Sequence, residues 1–167
     1  NDNPTAQNDV GVINEGSTLT VQNSSNANVS GSFDANGENS GDVIHTSSSS
    51  HKDSDPDTSN TLSISHIKKS GGSNSTVSSG SSYNSSGTSV TGTYGTLTIG
   101  ADGSYKYIAD QDAADSIAAS EQQDDIFVYT ITDGTEDVSA NITITVLGEN
   151  DNPTAQNDVG VINEGST

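Results

Sequence analysis

Residues 1–18 read NDNPTAQNDVGVINEGST, and residues 150–167 repeat the same eighteen letters 149 positions later. Biased composition does not produce eighteen consecutive identities, so the chain contains one unit, 1–149, followed by the linker and first-strand start of an identical unit, 150–167. This restricts the fold, because the unit has to end where a copy of its own opening can follow. A tandem array meets that condition, with each unit touching only its neighbours. No leader opens the segment and no sorting motif closes it, as expected for a section of a longer protein.

Charge narrows the choice further. There are 23 Asp and Glu against four Lys and no Arg, for a net charge of −19, and the 1–149 unit alone carries 20 acids and −16. Val, Ile, Leu and Phe supply only 30 of 167 residues, a level at which a strongly charged chain is expected to be disordered unless its order says otherwise. Cysteine is absent, so there is no disulfide framework. No apolar run approaches the ~20 residues of a membrane span. A nucleic-acid surface is excluded, because a polyanion would be repelled by this surface.

The residue order predicts strands. Ile142, Ile144 and Val146 alternate with Thr143 and Thr145, the period-2 pattern of a half-buried strand. The run from Ile126 to Thr132 is apolar on both faces near its start and ends at Asp133-Gly134, as expected for a central strand. Leu97 with Ile99, the turn Ala101-Asp102-Gly103, and Tyr105 with Tyr107 form a hairpin pattern. Val10 with Val12, Leu19 with Val21, Leu62 with Ile64, and Ser89 to Tyr94 bring the total to seven or eight. The fold class is therefore all-β, an immunoglobulin-like sandwich. Only Asp110 to Ser120 has the composition of a helical turn. Asn23 to Ser50 and Ser70 to Thr88, rich in Ser, Asn and Gly, are expected to be surface loops. The core is thin for 149 residues, which predicts marginal stability without a bound ion.

The acids are clustered. Asp53, Asp55 and Asp57 fall at every second residue ahead of the Leu62 strand, so in an extended chain they project to one side and repel unless a cation lies between them. The spacing differs from an EF-hand, since Thr58 stands where that loop needs Gly and Ile64 where it needs Glu. A second set comprises Glu149-Asn150-Asp151-Asn152-Pro153 at the repeat junction, Asn1-Asp2-Asn3-Pro4, Glu15 and Asp133. Hard divalent cations take six to eight oxygens from such groups. His45, His51 and His66 show no paired spacing and read as surface residues, so zinc or copper has poor material.

Together these motifs resemble the cadherin pattern: a linker with Asn-Asp-Asn-x-Pro, a Glu early in the unit, Asp-x-Asp before a strand, and Tyr129-Thr-Ile-Thr-Asp133-Gly134 closing a late one. More closely, the chain resembles the cadherin-like, VCBS-type repeats of bacterial giant RTX adhesins. That signature recurs in Asp53-Ser-Asp-Pro-Asp57 with Thr61-Leu-Ser-Ile64, in Gly92-Thr-Tyr-Gly-Thr-Leu-Thr-Ile99, and in Ala101-Asp-Gly-Ser-Tyr105. Two departures stand out: the family's Gly-Asp after Asp-Pro-Asp is replaced by the longer Thr58-Ser-Asn60, and cadherin's Asp-Arg-Glu is missing, with Glu121, Asp124 or Asp125 in its place.

The resemblance implies several Ca2+ ions between successive units and ligands at opposite ends of each. Asp2, Asn3, Asp53, Asp55, Asp57 and Asp133 would form the incoming set. Glu15, the Glu121 to Asp125 region, Glu149, Asp151 and Asn152 would form the outgoing set, which requires Glu15 to face the linker after its own unit. Affinity is expected at ~10⁻⁴ to 10⁻³ M, suited to an outside compartment. The expected function is a calcium-rigidified extender in a long bacterial cell-surface adhesin, a monomeric link whose partners are neighbouring repeats. A binding module using the Ser/Asn/Gly-rich loops is the alternative, disfavoured by few aromatics and no Trp. An enzyme is not expected, since an array would duplicate its acids without purpose.

Overall fold

The computed structural model describes residues 1–22, 42–45 and 51–165. Among them nine strands form and no helix. They are β1 (Asp9–Asn14), β2 (Thr18–Val21), β3 (Ser63–Lys69), β4 (Ser75–Thr76), β5 (Thr88–Thr91), β6 (Thr96–Ile99), β7 (Tyr105–Ile108), β8 (Gln122–Thr132) and β9 (Asp137–Leu147). One sheet has the order β1-β9-β8-β3-β4 and the other β2-β7-β6-β5. All pairings are antiparallel except β1 with β9, which is parallel from Asp9↔Ile142 to Asn14↔Leu147.

Alternation explains the two layers. In β9, Ala140, Ile142, Ile144 and Val146 are buried while Asn141, Thr143 and Thr145 turn outward. β8 buries Phe127, Tyr129 and Ile131 from the middle of its sheet, with the Tyr107 ring edge-on to Phe127 at 6.0 Å between centroids. Leu19, Leu97, Ile99, Tyr105 and Tyr107 answer from the second sheet. Each aliphatic side chain removed fully from water contributes about 1.5–3 kcal/mol.

Three expectations change. β4 has no counterpart in the sequence pattern, and Ser70 to Thr88 is more than a surface loop, because Val77 and Ser81 are buried there. Most of Asn23 to Ser50 lies outside the described residues, but Asp42, Val43 and Ile44 are buried, the last two within the core cluster. Asp110 to Ser120 forms turns closed by i to i+3 bonds at Ala114 and Ile117 rather than a helix, and it buries those two side chains. Its helix propensity is confined to scattered alanines with no continuous apolar face.

Strand direction positions the ends. β1 joins β9 opposite Ile142, five residues into that strand, and the two run parallel to finish together beside Glu15 and Glu149. The eleven residues of β9 span about 35 Å at the usual strand rise.

Candidate metal centres at the two ends

At the incoming end, residues 1–8 lie along the acidic segment. Thr5 and Ser54 exchange two backbone bonds of 2.7 and 3.0 Å, and Pro4 is buried. The Asp2 amide donates to Asp57 Oδ2 at 2.7 Å. The Asn1 side-chain amide donates to Asp133 Oδ2 at 2.9 Å, and Asn60 donates to both Asn1 Oδ1 and Asp133 Oδ2. The amides of Thr135 and Glu136 each reach Asp133 Oδ1 at 2.7 Å. The Glu136 amide and then the Asn1 side chain hold the Asp133 carboxyl down at about 2, so it is ionised at any physiological pH. Asn60, beyond the lengthened turn, is thus a bridge between linker and Asp133.

Asp53 and Asp55 differ although they are two residues apart. Asp53 is drawn inward, 3% exposed, where Oδ1 accepts the Gln7 amide at 2.7 Å and both oxygens face the Tyr129 hydroxyl at 3.1–3.2 Å. Burial pushes its carboxyl up to about 7 against the lowering effect of those bonds. Asp55 Oδ1 caps the Asp57 amide at 2.7 Å, but its Oδ2 is buried with no hydrogen-bond donor. Asn3 is exposed beside this cluster.

At the outgoing end the chain closes on Glu15. Its amide donates to the Leu147 carbonyl at 2.9 Å, and its Oε1 accepts the Glu149 amide at 2.7 Å. Asn14 Nδ2 donates in turn to Glu149 Oε1. Glu15 is 8% exposed and its Oε2 is buried with no donor. The expected approach of Glu15 to the following linker is present. Glu121 is adjacent, since its carbonyl accepts the Gly148 amide at 3.0 Å. Asp124 bonds the Thr145 hydroxyl on the outer face of the sheet. Asp151 and Asn152 are exposed on the linker.

Asp125 is not brought to this end. It lies on the inner face of β8 in register with Phe127, Tyr129 and Ile131, 1% exposed. Its carboxylate takes the amides of Thr93, Tyr94 and Gly95 at 2.9–3.1 Å and the Tyr107 hydroxyl at 2.9 Å. The approach is so close that a Cβ on Gly92 would fall 2.2 Å from Oδ2. The carboxylate is saturated, and it fastens the β5–β6 turn to the opposite sheet. Its period-2 spacing from Phe127 is the signal in the sequence that points inward. Asp9, likewise in phase with Gly11 and Ile13 and 2% exposed, is a buried acid outside the sequence-predicted set; it lies beside the Tyr129 hydroxyl with Asp53. Of the histidines, His45 is not a lone surface residue, because its Nδ1 pairs with buried Asp42 at 3.0 Å, an interaction that raises its pKa.

Among the described residues, no three or more His, Cys, Asp or Glu side chains are grouped so that they could hold a metal ion. Each end instead presents acids in small groups, one with an uncapped buried oxygen, on either side of a linker. A two-sheet sandwich with its first two strands in different sheets, entered at one acidic end and left at the other, is the architecture of a cadherin-like module. The family model of the bacterial cadherin-like domain matches residues 1–148, and the chain belongs to that family. Cadherin-like domains are typically extracellular structural modules. A comparison with curated proteins gives no match. No helix among the described residues is long and apolar enough to cross a membrane.

Proposed function

We propose that this chain is a calcium-rigidified extender, a stalk unit of a long bacterial cell-surface adhesin of the RTX type that holds a distal binding region away from the cell. The observation that carries this reading is that Asp55 Oδ2 and Glu15 Oε2, one towards each end of the sandwich, are buried carboxylate oxygens with no donor. A buried carboxylate oxygen without a donor is costly, and both lie beside a linker of the same sequence.

The donor set is all oxygen, which fits a hard cation of the calcium type. Asp2, Asn3, Asp55, Asp57 and Asp133 are the incoming donors, with Asp53 bracing the segment against Gln7 and Tyr129. Glu15, Glu149, Asp151 and Asn152 are the outgoing ones, with Glu121 alongside. Calcium, when bound, supplies the positive charge that offsets repulsion among these acids. The chain's own residues do the rest: the Thr5–Ser54 bridge and the Asn1–Asp133 bond fix where the linker enters, and the Glu15–Glu149 bond fixes where it leaves. A linker fixed at both ends transmits direction from one unit to the next.

Thermal unfolding across a calcium titration tests the assignment. The midpoint is expected to rise steeply with calcium, and Asp55→Ala is expected to remove much of that rise. A midpoint that ignores calcium, or an Asp55→Ala response equal to the parent's, overturns it.

A further inference from the structure

Tension on a tandem array enters each unit through the linker before it and leaves through the linker after it. The first strand after the incoming linker is β1 and the last before the outgoing one is β9, and these two are hydrogen-bonded neighbours in one sheet. They also run parallel, whereas every other pair among the described strands is antiparallel. We propose that the β1–β9 seam is a mechanical clamp, the force-bearing element that keeps the unit folded when its array is stretched. The clamp rests on the tandem repeat and is independent of the calcium reading.

Strand direction decides how the seam is loaded. Pulling on the incoming linker draws β1 back towards Asp9, and pulling on the outgoing linker draws β9 onward past Leu147. In a parallel pair these displacements are opposite and lie along the strands, so the pairs from Asp9↔Ile142 to Asn14↔Leu147 are sheared and carry load together. An antiparallel pair would have both linkers at one end, and its bonds would open one after another. Bonds that share a load fail together, which takes more force than opening them singly. Packing resists sliding too: Ile13 is fully buried, and a slip of one residue would turn the inward side chains of β1 outward.

Both ends of the seam are extended. Ahead of β1, Thr5 and Ser54 exchange their two backbone bonds. The Gln7 amide donates to Asp53 Oδ1 at 2.7 Å, and the Tyr129 hydroxyl donates to the Gln7 carbonyl at 2.6 Å. The Asn141 amide, from β9 itself, donates to Asn8 Oδ1 at 3.0 Å. Beyond β1, Glu15 is tied to Leu147 and Glu149 by bonds of 2.9 and 2.7 Å. The chain from Thr5 to Glu15 is therefore fastened along its length, and load crosses from β1 to β9 without passing through the four-stranded sheet.

The chain has no cysteine, so introduced ones are unique attachment points for optical tweezers. Thr5→Cys with Asn150→Cys pulls along the seam, and Thr18→Cys with Asn150→Cys pulls β1 and β9 apart from the end they share. All three sites are exposed. In calcium and at one loading rate, the first geometry is expected to unfold at about twice the force of the second or more. Ile13→Ala is expected to lower the first force. Leu97→Ala, as deeply buried but in the other sheet, is expected to lower it less, although both variants lose melting temperature. Equal forces in the two geometries would overturn the clamp, and so would a Leu97→Ala chain that yields as early as Ile13→Ala. Forces unchanged in chelator, with the gap between geometries intact, would support the clamp and count against the calcium reading alone.

Discussion

Ile13 and Ile162 occupy the same place in two copies of one eighteen-residue segment, yet the first is fully buried and the second is 69% exposed. Upstream, Pro4 is buried against the 53–57 segment while Pro153 is exposed. The eighteen residues are identical, but only the first copy is followed in this sequence by the β9 strand of its own unit, so the difference comes from surroundings. Only the turn at Gly16 and Gly165 is common to both copies. The bend therefore belongs to the local sequence, and the strand belongs to the β9 edge that receives it.

The largest effect should come from breaking that difference directly. Ile13→Ala is expected to cost about 2–5 kcal/mol of stability through the cavity it opens, and Ile162→Ala nothing measurable. Urea unfolding of the two variants checks this, and equal losses would mean that the second copy is already packed. A similar contrast separates acids in the interior from acids at the ends. Asp125→Ala should remove about 3 kcal/mol by stranding three amides and the Tyr107 hydroxyl, while leaving the calcium-induced rise in melting temperature intact. A variant that folds as well as the parent but loses the calcium response would return Asp125 to the junction.

The smallest effect concerns Asp53, which grips the incoming copy through Gln7. Its carboxyl is held at about 7 in the folded chain against an ordinary 3.8. The folded state therefore takes up the proton more readily, and the penalty for burying the charge is full above pH 7 and fades towards pH 4. In chelator the melting temperature is expected to rise by roughly 2–6 °C between pH 8 and 5, and Asp53→Asn is expected to flatten much of that rise. A parent chain whose stability falls over this range would contradict the assignment.

Much of the sandwich is legible in the sequence because its strands obey a period of two: Ile142, Ile144 and Val146 face inward as their spacing requires, and β8 lies at the centre as its two-sided apolar start implies. β4 is not legible, since two polar residues, Ser75 and Thr76, form it by pairing with Ile67 and His66, and two residues carry no periodicity. The junction acids are legible as clusters, and Glu15 lies beside Glu149. What clustering cannot reveal is which acids turn inward. Asp53, Asp55 and Asp57 alternate alike in sequence, but only Asp53 finds the Tyr129 hydroxyl, contributed 76 residues later. Asp125 reads as a junction residue because Asp124 and Glu121 stand near it in sequence, whereas its phase with Phe127 carries it into the core.

Acidic ends that become rigid joints have a direct signature in small-angle scattering of a chain with two complete units, recorded in calcium and then in chelator. A long, stiff particle is expected in calcium, becoming shorter on average and flexible when the ion is removed; identical maximum dimension and flexibility in both conditions would contradict the joint.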